Sequence, residues 1–249
     1  MRRIATIICL TLLGSLGLLA QDDPRPTINP TAIFVNTSGE EQETNEYSGS
    51  APIVGKFYAN PSDVEGWNEY YEWRFTKEGD TSDEPYLIRY EQDTEYTFSD
   101  AGSHKIVCYA LFTQGKDTIA FTEEYWTSEQ EPIRITISES KLDMPNAFSP
   151  NGDDINDIYG AKEGWQSIVE FRAIIFNRWG QKIYEWTDPA GGWDGTWNGR
   201  DVKQGVYFVD VQAKGADGRR YHIRRDVNLL RGFREKDSST SSGGGGGME

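Results

Sequence analysis

This chain has 249 residues and carries 40 acidic against 25 basic side chains, a net charge of −15, so its overall field repels nucleic acid and anionic membrane surfaces. Two cysteines and two histidines, His104 and His222, exclude a disulfide framework and leave little material for a zinc site or a histidine-based triad. The acidity is uneven: residues 21–139 hold 24 acidic and 8 basic side chains, whereas residues 140–249 hold 16 and 15.

Residues 1–20 read as a secretory signal peptide. Arg2 and Arg3 form its charged start, Ile4 to Leu19 is apolar, and Ala20 offers the cleavage position. That apolar run is shorter than the ~20 residues a membrane span needs, and no second long apolar segment follows, so no intrinsic transmembrane span is expected. Cys9 leaves with the signal, and Cys108, alone in an apolar run, reads as a buried strand side chain rather than a catalytic thiol.

Residues 21–27 form a polar linker, and a β-rich domain over 28–139 follows. The pattern predicts short strands over Ala32 to Asn36, Ile53 to Tyr58, Tyr70 to Thr76, Tyr86 to Tyr90, Tyr96 to Phe98, Lys105 to Phe112, Thr118 to Trp126 and Ile133 to Ile137. Short strands at roughly 8 to 12 residue spacing, with turn residues between them, point to a sandwich. Tyr71-Glu72-Trp73-Arg74-Phe75 and the stretch from Tyr96 through Ala101-Gly102 to Val107 resemble a PKD-like domain, an Ig-type fold. The resemblance implies that the aromatic-x-Phe strand packs in the core. The chain departs from that family after Phe75, where Thr76-Lys77-Glu78-Gly79-Asp80 replaces the usual Gly-Asp-Gly.

Ser138 to Asp143 reads as a polar hinge into a second module over 143–232. Its opening, Pro145-Asn146-Ala147-Phe148-Ser149-Pro150-Asn151-Gly152-Asp153, is too rich in turn formers for a strand or helix. Phe171 to Phe176 and Gln181 to Trp186 flank Asn177-Arg178-Trp179-Gly180 and predict a hairpin; Gly205 to Lys214 and Tyr221 to Arg231 predict a second around Ala216-Asp217-Gly218. Between them lies a glycine-rich loop over 190–199 whose Trp193 and Trp197 can fold back on the core. Residues 233–249, with five consecutive glycines, read as a flexible tail, native or an expression scar.

Several motifs of the second module occur together and in order: Pro145 to Asp153, Asn156-Asp157, Asn177-Arg178-Trp179-Gly180, Trp193-Asp194-Gly195 and Gly205-Val206-Tyr207. They resemble the gliding motility-associated C-terminal domain, the type B sorting domain of the type IX secretion system. The resemblance implies a small, non-catalytic β-sandwich. Its recognition residues would be Pro145, Asn146, Phe148, Pro150, Asn151, Gly152, Asp153, Asn156, Asp157, Arg178, Trp179, Gly180, Trp193, Asp194, Gly195, Gly205 and Tyr207. Its partners would be the type IX translocon, outer-membrane shuttle or attachment proteins, or a periplasmic sensor. Where the family has glycine this chain has Asp154, at a position that calls for positive φ.

Asn151, Asp153, Asn156 and Asp157 suit two roles, a partial calcium loop or caps on turns; Asp154 at the sixth loop position and Gly160 at the twelfth depart from the calcium pattern. No other cofactor is expected. Arg219, Arg220, Arg224 and Arg225, with Arg231 and Arg234, form the one basic concentration and read as a partner surface or an exposed strand edge. The expected whole is an all-β chain of two Ig-like sandwiches in tandem. It is exported to the periplasm, outer membrane or cell surface, and is not an enzyme. An accessory or signalling part of the secretion or gliding machinery is the first reading, a minimal surface adhesin the second, and a carbohydrate-active enzyme using Trp193 and Trp197 the third.

Overall fold

Strict alternation decides the N-terminal sandwich. In Ile53–Tyr58 the residues Ile53, Gly55 and Phe57 are buried while Val54, Lys56 and Tyr58 are half-exposed, as a period of two requires. The computed structural model describes residues 25–79, 82 and 84–231; residues 1–20, read as a signal peptide, and 233–249, read as a tail, lie outside these residues. The first elements are β1 (Thr31–Val35), β2 (Glu41–Glu43), β3 (Glu46–Gly49), β4 (Ile53–Tyr58), β5 (Asn68–Lys77), β6 (Leu87–Arg89), β7 (Asp93–Phe98), β8 (Gly102–Gln114), β9 (Asp117–Phe121), α1 (Glu123–Ser128) and β10 (Ile133–Ile137).

One sheet runs β2-β1-β4-β7, the other β3-β10-β8-β5-β6 with β9 also on β8. Phe57 joins them: its ring lies 5.8 Å from Trp73, 5.3 Å from Phe75, 6.0 Å from Phe34 and 6.3 Å from Phe98. Trp73 and Phe75, the aromatic-x-Phe pair, are fully buried, and Trp73 Nε1 donates to the Gln92 carbonyl at 3.0 Å. Burying each of these rings contributes about 2–3 kcal/mol.

The strand expected over Thr118 to Trp126 is a correction. The chain leaves β9 at Phe121 and turns into α1, where Glu123 and Glu124 sit in the first turn and complement the helix dipole. The turn brings Trp126 back across β8, where its indole donates to the Cys108 carbonyl at 2.8 Å. β2 and β3 are unmarked in the sequence because Glu-Gln-Glu and Glu-Tyr-Ser-Gly have no apolar alternation. They are strands because β1 and β10 offer open edges, β3 joining β10 in parallel some ninety residues away.

The C-terminal unit contains β11 (Ala147–Phe148), β12 (Tyr159–Gly160), β13 (Ile168–Phe176), β14 (Lys182–Trp186), β15 (Gly192–Trp193), β16 (Thr196–Trp197), β17 (Arg200–Asp201), β18 (Gly205–Gly215) and β19 (Arg220–Leu229). Both predicted hairpins form, within a five-stranded sheet ordered β11-β19-β18-β13-β14. Two short ladders, β12–β15 and β16–β17, supplement it. Trp193 and Tyr159, paired across the first ladder, are fully buried with Phe148 and Tyr207; the Trp193 ring lies 5.3 Å from Phe148 and 5.1 Å from Tyr207. The whole described chain is therefore all-β apart from α1.

The segment read as a hinge is bonded on both sides. Ser167, fully buried, accepts from the Ala51 amide at 3.1 Å and lies 2.9 Å from the Ser138 hydroxyl. The Ala101 amide donates to Ala216 at 3.0 Å, and the Ser140 hydroxyl donates to Asp217 at 2.6 Å, which holds that carboxyl below the ordinary carboxylate range. A Cβ on Gly215 would fall 2.1 Å from Ser140 Oγ, so only glycine lets the chains approach this closely.

His104 is buried between Phe98 and Tyr86, whose hydroxyl is 3.0 Å from Nδ1, and burial pushes its pKa down, with the Lys77 charge acting the same way against the opposing Asp100 carbonyl. A depressed histidine is stabilising when neutral, so this contribution is complete above the unfolded value near 6.5 and is lost as pH falls towards the folded value, at a slope on the order of 1 kcal/mol per pH unit. Denaturant titrations of wild type and His104→Phe between pH 7.5 and 5 are expected to show the gap between them shifting against the wild type as pH falls. A constant gap would show that His104 does not couple to folding.

Candidate recognition surface

The turn-dense opening of the C-terminal unit builds itself from its own side chains. Asp157 Oδ1 accepts the Asn151 and Gly152 amides at 2.7 and 2.9 Å, and its Oδ2 accepts the Asp154 amide at 2.9 Å. These N–H groups, Gly152's foremost, hold the Asp157 carboxyl below the ordinary carboxylate range. Asp153 Oδ1 accepts from Ile155 at 3.1 Å, and Asn151 Oδ1 from Asp153 at 2.9 Å. Asp154 adopts φ +65° and Asn156 φ +53°, so the position where the resembled family has glycine does require the left-handed region. Asp and Asn tolerate it better than most side chains.

The loop is tied to the sheet at several points. The expectation that this opening holds no strand is corrected by Ala147–Phe148, which pairs in parallel with the free edge of β19; the Pro145 carbonyl accepts from the Tyr159 hydroxyl at 2.9 Å, and the Asn146 carbonyl accepts from the Asn228 amide at 2.9 Å. Asp194 Oδ1 closes the next turn by accepting the Thr196 amide at 2.9 Å and hydroxyl at 2.8 Å, while Trp193 Nε1 donates to the Thr196 carbonyl at 2.8 Å. Of the two tryptophans in this loop, Trp193 enters the core, whereas Trp197 is left 38% exposed.

Arg231 joins these pieces, and sequence reasoning missed its role. Its guanidinium donates to the Pro150 carbonyl at 3.1 Å, the Gly195 carbonyl at 2.7 Å and the Val202 carbonyl at 3.1 Å, and lies 3.4 Å from Asp201. One side chain thus gathers the opening loop, the Trp193-Asp194-Gly195 turn and the approach to β18. The only signal in the sequence was its place just past Leu229, the last buried residue of β19.

Arg178, Trp179, Gly205 and Tyr207 come together elsewhere, around an open groove of about 960 Å³ that also includes Trp197, Arg200 and Asp201. Asn177 Oδ1 shapes the hairpin tip by accepting the Trp179 and Gln181 amides at 3.0 and 3.1 Å, Gly180 takes φ +75°, and Trp179 projects from it 81% exposed. The arginines of the basic concentration separate. Arg225 reaches the Met144 carbonyl and Asp143, Arg219 lies 4.0 Å from Asp217, and Arg220 and Arg224 occupy the outer face of β19, where Arg224 meets Asp210 at 3.1 Å. Arg234 lies outside the described residues.

Residues 142–223 match the family described as the CHU_C type IX secretion signal domain, the region resembled on sequence grounds. No curated protein matches. Among solved structures, dimeric latent PorU from Porphyromonas gingivalis is 10% identical with a TM-score of 0.25, over 88% of this chain and 21% of that one. The FN1–FN3 domains of chicken CNTN1 are 9% identical with a TM-score of 0.29, over 79% of this chain and 73% of theirs. A Bacteroides ovatus SGBP-B solved with a mixed-linkage heptasaccharide is 14% identical with a TM-score of 0.25, over 82% of this chain and 48% of that one. This chain thus spans about a fifth of the PorU chain's length. Its C-terminal unit carries a type IX secretion signal domain, which implies export towards the cell surface.

Arg231→Met keeps the aliphatic stem and removes three charge-assisted bonds to carbonyls, for an expected loss of about 2–3 kcal/mol in chemical denaturation. Arg231→Lys should recover only part of it, because an ammonium cannot span three acceptors in a fixed fork. Equal stability of all three proteins would refute the staple.

Proposed function

We propose that this chain is a non-catalytic exported protein of the cell envelope, delivered by the type IX machinery through its C-terminal unit, and that it serves the secretion or gliding apparatus as an accessory or signalling component. The observation that carries the reading is the match of residues 142–223 to the secretion signal domain, joined to a sandwich whose conspicuous reactive groups are spent on packing. Cys108 is buried and its thiol is pushed up to about 12, far from a working nucleophile, and His104 is held within an aromatic cluster. Among the described residues no helix is long and apolar enough to cross a membrane.

A minimal adhesin sent out as type IX cargo is the second reading, favoured by Tyr70 and Tyr90, exposed neighbours on the sandwich with rings 6.0 Å apart. The side-chain oxygens of Asn151, Asp153 and Asp157 serve as turn caps in the first reading, since backbone and side-chain N–H groups already occupy them, while Asn156 contributes its left-handed backbone and its carbonyl, which accepts the Ser149 amide.

Cells with and without a working translocon, expressing the chain with and without residues 143–249, separate these readings. The full chain is expected at the surface only in translocon-competent cells, and the truncated chain in the periplasm of both. Deleting the protein should reduce secretion of other type IX cargo or gliding speed; loss of attachment alone would favour the adhesin, and identical placement of both forms in both strains would overturn delivery by this route.

Calcium gives a separate check on the caps. Saturating calcium followed by chelator should move the melting midpoint by less than about 1 °C, because a ligand stabilises only in proportion to its binding of the folded state. A calcium-dependent rise abolished by Asp157→Asn would establish a metal loop instead.

A further inference from the structure

The groove beneath the Trp179 hairpin tip combines an apolar floor, unpaired charge and an open strand flank. Trp179, Val206, Phe208 and Trp197 are 81%, 48%, 41% and 38% exposed, a concentration of large apolar surface that a solvated sheet end does not need. Tryptophan and arginine together are the residues that interface centres favour.

Charge defines the occupant. Arg178, Arg200 and Lys203 line the groove, and among the described residues none of them has a carboxylate partner; Arg178 instead lies over the Trp179 ring at 5.3 Å. Asp201, the groove's acid, is 3.4 Å from Arg231. A locally cationic groove in a chain of net charge −15 is complementary to an anionic partner and not to the bulk of its own surface.

The backbone defines its shape. The pairing of β13 with β18 ends at Phe176 and Phe208, because β13 turns away at Asn177, while β18 begins three residues earlier at Gly205. Gly205, Val206 and Tyr207 pair with Leu229, Asn228 and Val227 of β19 on one side only. Of the three, Val206 turns its N–H and C=O away from β19 towards the groove, because its opposite number Asn228 faces β11, and no backbone bond among the described residues covers them. An unpaired flank beside side-chain pockets is the arrangement that adds a strand from a partner.

We propose that this groove takes an extended acidic peptide segment of a partner protein. The segment pairs along Gly205–Tyr207, sets its carboxylates against Arg178, Arg200 and Lys203, and lays an apolar side chain against Trp179 and Trp197. A polysaccharide would use the indoles and cations but leave the open flank of β18 unmatched. The inference deepens the recognition reading above and rests on it for the partner's place in the envelope. Peptide binding by the pure protein and export from cells are separate measurements, so either can fail alone.

The probe is a capped peptide, Glu-Val-Glu-Leu-Glu-Val, titrated into the full chain and followed by tryptophan fluorescence and by backbone amide shifts. Saturable binding is expected, with the amide shifts centred on Gly205–Tyr207. Arg200→Glu should weaken it about tenfold and Trp179→Ala by a similar factor, both with unchanged circular dichroism and melting midpoint because both side chains are exposed. A lysine-for-glutamate version of the peptide, and a version N-methylated at alternate amides, should each bind at least about tenfold less tightly. The proposal is overturned by no shift at these amides, by equal binding of the N-methylated peptide, or by polygalacturonate binding in the groove where the acidic peptide does not.

Discussion

A sheet has two faces, and a unit of this size must bury one of them without a second full sheet to do so. The C-terminal unit meets that constraint with loops: the β12–β15 ladder lays Tyr159 and Trp193 over the sheet, and the rest of the unit follows from holding them there. Gly160 and Gly192 sit in that ladder because a Cβ on either would strike backbone, at 2.7 Å from the Gly191 carbonyl and 2.7 Å from the Tyr159 carbonyl respectively. The loops are irregular, so their amides cannot pair in a ladder and must find acceptors elsewhere. Among those acceptors Asp157 binds three N–H groups, Asn177 two, and Asp194 the Thr196 amide together with its hydroxyl. Arg231 supplies the complementary donors for three loop carbonyls, that of Gly195 also accepting the Val202 amide.

This division explains why the motif residues fall into two physical groups. Pro145 to Asp157, Trp193 to Gly195 and Tyr207 are bound up in making the loops stay down, with Trp193 and Tyr159 wholly inside. Arg178, Trp179 and the start of β18 are left free at the end of the sheet, where β13 turns away before β18 does. A fixed frame and an exposed feature are thus carried by different residues.

The junction adds a third level. Ala216, on the turn after β18, packs into the N-terminal core, and Ser167 bonds to Ala51 and Ser138. The two halves meet through buried polar contacts whose partners are satisfied, which fixes geometry more than it adds stability.

The sequence by itself determined the class of fold, the four long strands of the two C-terminal hairpins, the strands Ile53–Tyr58 and Ile133–Ile137 to the residue, and the secretion signal motif, because each is written in local alternation or in turn chemistry. It missed β2 and β3, whose pairing comes from distant edges, and misread Tyr125-Trp126 as strand because two apolar residues in a short run fit either period. Only the tertiary structure decided that Ser138 to Asp143 is anchored, that of the two loop tryptophans expected on the core Trp193 enters it while Trp197 stays 38% exposed, and that Arg231 is a staple and not one more basic residue. These distinctions depend on which carbonyls and rings the fold brings within about 3–6 Å across long stretches of chain, and no local pattern records that.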